Sequence, residues 1–154
     1  MPIAINGSGT ITGISVGGIP DGVVDTDVLA ANAVTFGKIG TTEQGQLCKA
    51  WVNFNGTGAV AIRASYNVSS ITDNGLGDYT VNFTTAIADA NYCSALSINT
   101  GAANNSQFII GERSASIPSN PTLKSTTQLR VQVSTAAPTI NNTDATSVNV
   151  AIFR

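Results

Sequence analysis

Residues 68–84 read VSSIT, DNGLGD and YTVNFT, which are two alternating runs on either side of a turn-forming hexapeptide. Asp, Asn and Gly favour tight turns because they bond to nearby backbone or accept a positive φ. In the second run Tyr79, Val81 and Phe83 share one face, and the polar residues between them share the other. The stretch therefore predicts a β-hairpin with one apolar face, which a second layer of structure must cover.

Similar short runs recur through the rest of residues 47–154, and turn-rich segments separate them. About seven to nine short strands with such connections are typical of an antiparallel sandwich or barrel. We therefore predict an all-β fold for residues 47–154, an antiparallel β-sandwich of jelly-roll type. Residues 101–106 and 114–125 are expected to be loops. The remaining predicted strands lie within residues 52–54, 60–63, 92–98, 107–110, 128–133 and 147–153.

The first 46 residues have a different composition. Nine of the 15 glycines lie in residues 1–45, whereas Phe36 is the only aromatic residue before Trp51. Period-two alternation over residues 3–16 predicts an extended segment, and Asp25 or Thr26 could cap a short helix that ends near Asn32. Because these residues lack the side chains to build a core, we predict that residues 1–46 form a separate segment that other chains cover in an oligomer.

The charge and composition exclude several classes of function. Charged residues make up 10% of the chain, the formal net charge is −2, and histidine is absent. A nucleic-acid-binding protein normally carries a basic surface, so we expect no nucleic-acid partner. We also expect no metal and no cofactor, since the chain lacks the commonest metal ligand and any dinucleotide or P-loop motif. Residues 1–6 have no signal-peptide character and apolar runs reach only about four residues, so we expect neither a cleaved leader nor membrane insertion.

Motifs for catalysis are weak. Residues 13–17 read GISVG and match the nucleophile-elbow pattern, but that serine needs an imidazole base, and none exists here. Asp73 and Asp78 lie in one turn, where Asp is favoured for local hydrogen bonds rather than for glycoside hydrolysis. We therefore predict no catalytic residues and no enzymatic activity.

Two other features have a structural and a functional interpretation. Cys48 and Cys93 are too few for a disulfide framework and are expected to be reduced, partly buried side chains. Tyr66 and Tyr92 lie among amide and hydroxyl residues and are candidates for sugar contact, although buried tyrosines are commoner in a small sandwich.

Three stretches in order carry a family resemblance. Residues 5–22 read INGSGTITGISVGGIPDG, residues 29–35 read LAANAVT with Lys38 and Ile39 following, and residues 50–83 include AWVNFNGTG, IRASYNVSSI and GDYTVNF. These stretches resemble bacteriophage tail fibre proteins, especially cyanophage-like ones. The resemblance covers residues 5–83 well and the remainder loosely.

The resemblance implies a parallel homotrimer held to tail or baseplate proteins of the virion through its N-terminus, with a β-rich receptor-binding head. On this basis we expect a virion location, adhesion to host surface glycan, and no enzymatic step. An amide-rich neutral tip suits sugar hydroxyls, which need hydrogen-bond donors and acceptors more than charge. From loop exposure we expect receptor contacts at Asn104, Asn105, Gln107, Ser119 and Asn120. The alternative is a collar, baseplate or decoration protein of the virion that contacts no receptor.

Overall fold

The computed structural model describes residues 29–101, 108–113, 123–136 and 140–154. The chain divides into two units with a boundary between Gly40 and Thr41, six residues before the boundary that composition suggests. In the described part of the first unit, one 3₁₀ turn spans Phe36–Lys38. Residues 29–34 contain no helix, so the short helix expected up to Asn32 is wrong over its described part. Asn32 itself has a φ of 64° in a turn, which interrupts helical geometry.

The second unit is a sandwich of two antiparallel four-stranded sheets, as predicted. A short helix, α1 (Thr41–Gln46), which the sequence did not predict, precedes the first strand. The first sheet has the order β2-β1-β8-β5 and the second has the order β3-β4-β7-β6. The strands are β1 (Cys48–Asn55), β2 (Ala61–Tyr66), β3 (Val68–Asp73), β4 (Asp78–Phe83), β5 (Cys93–Asn99), β6 (Phe108–Glu112), β7 (Gln128–Thr135) and β8 (Ser147–Phe153).

The predicted hairpin is β3 and β4, and its register runs from Asp73 opposite Tyr79 to Val68 opposite Phe83. The turn is built as its residue types indicate. The side chain of Asp73 accepts a hydrogen bond from Gly75 N at 2.9 Å, and Gly75 and Gly77 have φ values of 118° and 67°. Glycine adopts such angles with the least strain, which favours it at both positions of the turn.

The core lies between the central strands of the two sheets. Alternate residues of β1, β4, β7 and β8 point inward and are buried, because successive side chains of a strand face opposite sides. The Phe54 and Tyr79 rings meet edge to face across the sheets, with centroids 5.2 Å apart. Phe83 and Tyr92 repeat this arrangement at 6.0 Å. The inward residues are Ala50, Val52, Phe54, Tyr79, Val81, Phe83, Leu129, Val131, Val133, Val148, Val150 and Ile152.

One side of the sandwich is closed by polar contacts between the sheets. Glu112 at the end of β6 accepts hydrogen bonds from Ser94 Oγ on β5 at 2.6 Å and from Lys124 Nζ at 2.8 Å. Burial raises the pKa of Glu112, but the hydrogen bonds from Lys124 and Ser94 outweigh it and hold the pKa below its ordinary value. These contacts join edge strands of opposite sheets.

Both cysteines are free thiols, Cys48 half-buried and Cys93 exposed. Each lies opposite Phe153 of β8, one on either side, so the two cysteines are two strands apart. Neighbouring strands are spaced by about 4.8 Å, and twice that distance exceeds the Cα separation that a disulfide bridges. The strand positions therefore keep the two thiols apart.

Candidate functional site

Two aromatic side chains lie next to each other on the outer face of the first sheet. Because Ala50, Val52 and Phe54 of β1 point into the core, Trp51 points outward. Tyr66 lies opposite Trp51 on β2 and points the same way. Trp51 is 40% exposed and Tyr66 is 59% exposed. Large aromatic groups left open to water in this way mark contact surfaces more often than isolated aliphatic residues do.

Small residues continue this row across the sheet and make the floor of a groove. Ala151 of β8 lies opposite Trp51, and Ala95 of β5 lies opposite Ala151. Beside the bulky indole ring, two methyl side chains leave a trough of about 390 Å³. That volume is within the range of small-ligand sites, about 300–1,000 Å³. The groove is lined by Trp51, Val52, Asn53, Ala95, Leu96, Ser97, Asn149, Val150 and Ala151.

A row of amide and hydroxyl groups runs beside the aromatic row. Asn53 Nδ2 donates to Asn149 Oδ1 at 2.6 Å and to Ser147 Oγ at 2.7 Å, and Asn149 Nδ2 donates to Ser97 Oγ at 3.2 Å. These bonds hold three strands' side chains in fixed orientations. Among the described residues nothing donates to Asn53 Oδ1, and the hydroxyl proton of Ser97 has no acceptor. The groove therefore offers an oriented amide oxygen as acceptor and a rotatable hydroxyl as donor beside an aromatic ring.

The groove is electrically neutral. None of its nine lining residues is ionisable. Such a surface does not compensate the desolvation of a charged ligand, but it suits a neutral ligand with apolar C–H faces and hydroxyl groups. The lining provides no base to activate a nucleophile and no set of metal ligands. Across the described ranges, no group of three or more His, Cys, Asp or Glu could hold a metal ion.

The outer face of the second sheet has a different chemistry. Asp78 is 5% exposed and accepts hydrogen bonds from Arg130 Nε at 2.7 Å and Nη2 at 2.8 Å, and it also pairs with Arg113. Asn82 Nδ2 donates to Ser70 Oγ and Thr72 Oγ1 at 3.1 and 3.0 Å. Because these groups bond to one another, they stabilise the sheet and offer fewer open positions to a ligand than the first sheet does.

The residues expected from the sequence to contact a receptor have different outcomes. Tyr66 is exposed, as a contact residue must be. For Tyr92 the buried alternative is the correct one: it is 3% exposed, its hydroxyl donates to Gln128 O at 3.1 Å, and Lys124 Nζ lies 4.5 Å from its ring centroid. Burial, followed by the charge of Glu112, raises the pKa of Tyr92. The five loop residues Asn104, Asn105, Gln107, Ser119 and Asn120 lie outside the described residues.

Sequence reasoning missed most of the groove. Asn53 and Asn149 lie in predicted strands, whereas Trp51 lies one residue before the predicted strand 52–54, and the sequence analysis predicted no ligand contact for any of the three. The signal was present, since AWVNF and VNVAI alternate small or apolar inward residues with outward ones. A tryptophan in the outward register of such a strand indicates a contact surface.

Comparison with protein-family models, with curated proteins and with solved structures finds no match. Within the part of the chain that the structure describes, no helix combines the length and the apolar character needed to cross a bilayer.

Proposed function

We propose that this chain is a short bacteriophage tail fibre protein whose β-sandwich head binds neutral glycan on the host surface. The observation that carries the proposal is the exposed Trp51–Tyr66 pair beside the neutral amide row of Asn53 and Asn149. Pyranose rings present apolar C–H faces that pack on aromatic rings, and their hydroxyls pair with amide groups. Binding is non-covalent, and the protein carries out no chemical step.

The proposed assembly is a homotrimer joined to tail or baseplate proteins of the virion through residues 1–46. Leu29, Val34 and Phe36 support it, because each leaves a large apolar side chain about half exposed in the single chain. Association of three chains would cover such groups. Three heads per fibre would also multiply weak contacts, since linked sites bind more tightly than any one of them.

Strand β2 favours a second candidate function, that of a virion structural protein without receptor contact. All six of its residues are exposed, and it carries a single charge, at Arg63, along an edge of the first sheet with which no described strand pairs. Edges without several charges or a proline pair readily with another chain. A collar, baseplate or decoration protein would use this edge to join a neighbouring virion component.

The test is binding of purified full-length protein to an array of neutral and acidic polysaccharides. We expect binding to neutral members, and a loss of about tenfold or more in Trp51→Ala and in Tyr66→Ala, since each substitution removes a stacking contact. Leu76→Ala is the matched control, because Leu76 is exposed to a similar degree in the β3–β4 turn. Equal loss in all three variants would mean that the substitutions do not act through stacking at Trp51 and Tyr66, and would contradict the proposed site. Tight binding of the head to a virion protein with no glycan binding would support the second candidate instead. Release of sugar fragments would indicate an enzyme.

A further inference from the structure

The described residues contain two Asn-Gly pairs, Asn55-Gly56 and Asn74-Gly75, and this dipeptide can modify itself. The backbone nitrogen of the glycine attacks Cγ of the asparagine side chain, a C–N bond forms, and ammonia leaves with the nitrogen of the carboxamide. Water then opens the resulting cyclic imide and gives aspartate or isoaspartate. Glycine favours the attack because it lacks the side chain that would obstruct it and because its backbone is permissive.

In the first pair, Asn55-Gly56, hydrogen bonds and close packing hold both the backbone and the side chain. Gly56 is buried, and its N–H donates to Ala145 O at 2.9 Å. A Cβ at Gly56 would lie 3.0 Å from that carbonyl oxygen, so the backbone has little room to change shape. The Asn55 side chain is held as well, since its Nδ2 donates to Thr57 O at 2.7 Å and its Oδ1 accepts from Thr57 Oγ1 at 2.8 Å. Closing a five-membered ring here would break these contacts together.

The second pair lies in the exposed turn of the β3–β4 hairpin. Asn74 and Gly75 are both exposed, and a Cβ at Gly75 would meet nothing within 4 Å. Water has access to the imide that would form, and no packed atom crowds the glycine. From this contrast we infer that Asn74 is a site of spontaneous deamidation and isoaspartate formation, whereas Asn55 is not.

The structure also identifies a residue that slows the reaction. Gly75 N donates to Asp73 Oδ1 at 2.9 Å. The attacking nitrogen must lose its proton, and a carboxylate that accepts this proton in a hydrogen bond stabilises the protonated amide and opposes the developing negative charge. Asp73 is therefore a protecting residue for Asn74. The Asn74 side chain has a second contact, since its Nδ2 donates to Oγ1 of the buried residue Thr80 at 2.9 Å.

The product would alter the hairpin. An isoaspartate at residue 74 routes the main chain through the side-chain carbons and adds one carbon to the turn. Asn74 N donates to Asp78 O at 2.8 Å, and this bond spans the lengthened segment. The new carboxylate also replaces the Nδ2 donor to Thr80 and lies between Asp73 and Asp78. The modification would thus loosen the turn and add negative charge to it.

The experiment is incubation of the full-length protein at several pH values, followed by peptide mapping by mass spectrometry with isoaspartate detection. We expect the mass increase of deamidation at Asn74, at a rate that rises with pH, while Asn55 in the same chain stays unmodified and serves as the internal control. Asp73→Ala should speed the reaction at Asn74 by about tenfold, the value of one charge-assisted hydrogen bond, and leave Asn55 unchanged.

Asp73→Asn retains an acceptor oxygen without the charge and should give an intermediate rate. Modification of Asn55 before Asn74, or an Asn74 rate that is the same in all three proteins, would overturn the inference. If Asp73→Ala unfolds, both asparagines will react at similar rates. The wild-type comparison of Asn74 with Asn55 and the Asp73→Asn variant then decide the outcome.

Discussion

Tyr79 Oη donates a hydrogen bond to Asp144 Oδ1 over 2.7 Å, and this contact ties β4 of the second sheet to the segment that leads into β8 of the first. The same hydroxyl lies 3.0 Å from Gly56 O, and Asp144 Oδ1 also accepts from Gly77 N at 2.8 Å. The pair therefore links both sheets and the β3–β4 turn. Burial, and then the bond to Asp144, raises the pKa of Tyr79, which keeps its proton in place.

We predict that Tyr79→Phe lowers the free energy of unfolding by about 1–3 kcal/mol, because it removes the hydroxyl that donates to the half-buried carboxylate of Asp144 while the aromatic packing stays. Urea unfolding at neutral pH measures the change. The raised pKa adds a pH signature: the Tyr79 contribution is complete below the unfolded value of 10.0 and is lost as the pH rises towards the folded value. Tyr66→Phe, at an exposed tyrosine, should have little effect, and an equal loss in both variants would contradict the role of Asp144.

Two glycines with nearly the same backbone angle allow strain to be separated from crowding. Gly77 and Gly58 have φ values of 67° and 63°. A Cβ at Gly77 would lie 2.7 Å from Thr143 O and 2.8 Å from Thr143 N and would also press on Val133 O, whereas a Cβ at Gly58 would meet nothing within 4 Å. Backbone atoms cannot move aside as the end of a side chain can.

Gly58→Ala should therefore lower the free energy of unfolding by about 1 kcal/mol, because a residue with a side chain is strained in the left-handed conformation. Gly77→Ala should lower the free energy of unfolding by about 3 kcal/mol or more, since steric overlap with backbone atoms adds to the same strain. Thermal unfolding of the two variants measures the difference. Similar melting temperatures in both would show that the segments around Val133 and Thr143 yield to the added methyl group.

The strands could be predicted from the sequence because their apolar residues alternate over enough positions to be recognised. The strand Ser147–Phe153 has the bounds predicted for it, and the hairpin register follows from the turn residues 73–78. The pairing of β1 with β8 and of β5 with β8 could not be predicted, since a period-two pattern says which face is buried but not which strand lies beside it. The short helix α1 carries no buried residue and so left no apolar pattern to detect.

The candidate site was less accessible to sequence reasoning. Tyr66 and Tyr92 have similar polar neighbours in the chain, yet one is exposed on an edge strand and the other packs under Lys124 and against Phe83. What separates them is the position of each residue relative to the two sheets. The groove at Trp51 depends on Ala95 and Ala151, which lie far apart in sequence and become neighbours only through the order of strands.

Acid should weaken the contact between the sheets at Glu112. Its pKa lies below the ordinary value of 4.5 in the folded state, because hydrogen bonds from Lys124 and Ser94 outweigh the opposing effect of burial. A depressed pKa contributes stability that is complete above the unfolded value and is lost as the pH falls through the folded value. Glu112→Gln should therefore lower stability at pH 7 by up to about 1 kcal/mol, a small value because the pair is partly open to water.

The check is the free energy of unfolding of both proteins between pH 7 and the acid range. The difference between wild type and Glu112→Gln should vanish once the pH is below the folded pKa, and Ser94→Ala should give a smaller difference with the same sign. A difference that stays constant across this range would mean that the substitution acts through packing and not through the charge of Glu112.

The last prediction concerns the apolar residues before the sandwich. Val34 is 58% exposed and Phe36 is 51% exposed in the single chain, and the helix that follows buries none of its residues. Burial in an assembly would remove this surface from water, at about 25 cal/mol for each Å² covered, and a carboxylate placed there would have to be desolvated. Val34→Asp combined with Phe36→Asp should therefore break the proposed trimer.

Light scattering of the full-length protein measures this directly. We expect the mass of three chains for wild type and of one chain for the double variant, with far-ultraviolet circular dichroism unchanged because the sandwich has its own core. Leu76→Asp, which places the same charge on an exposed residue of the hairpin turn, is the control and should remain a trimer. A wild-type protein with the mass of one chain would remove the basis for assembly through this segment. The exposed edge of β2 would then be the surface to examine for contact with another virion component.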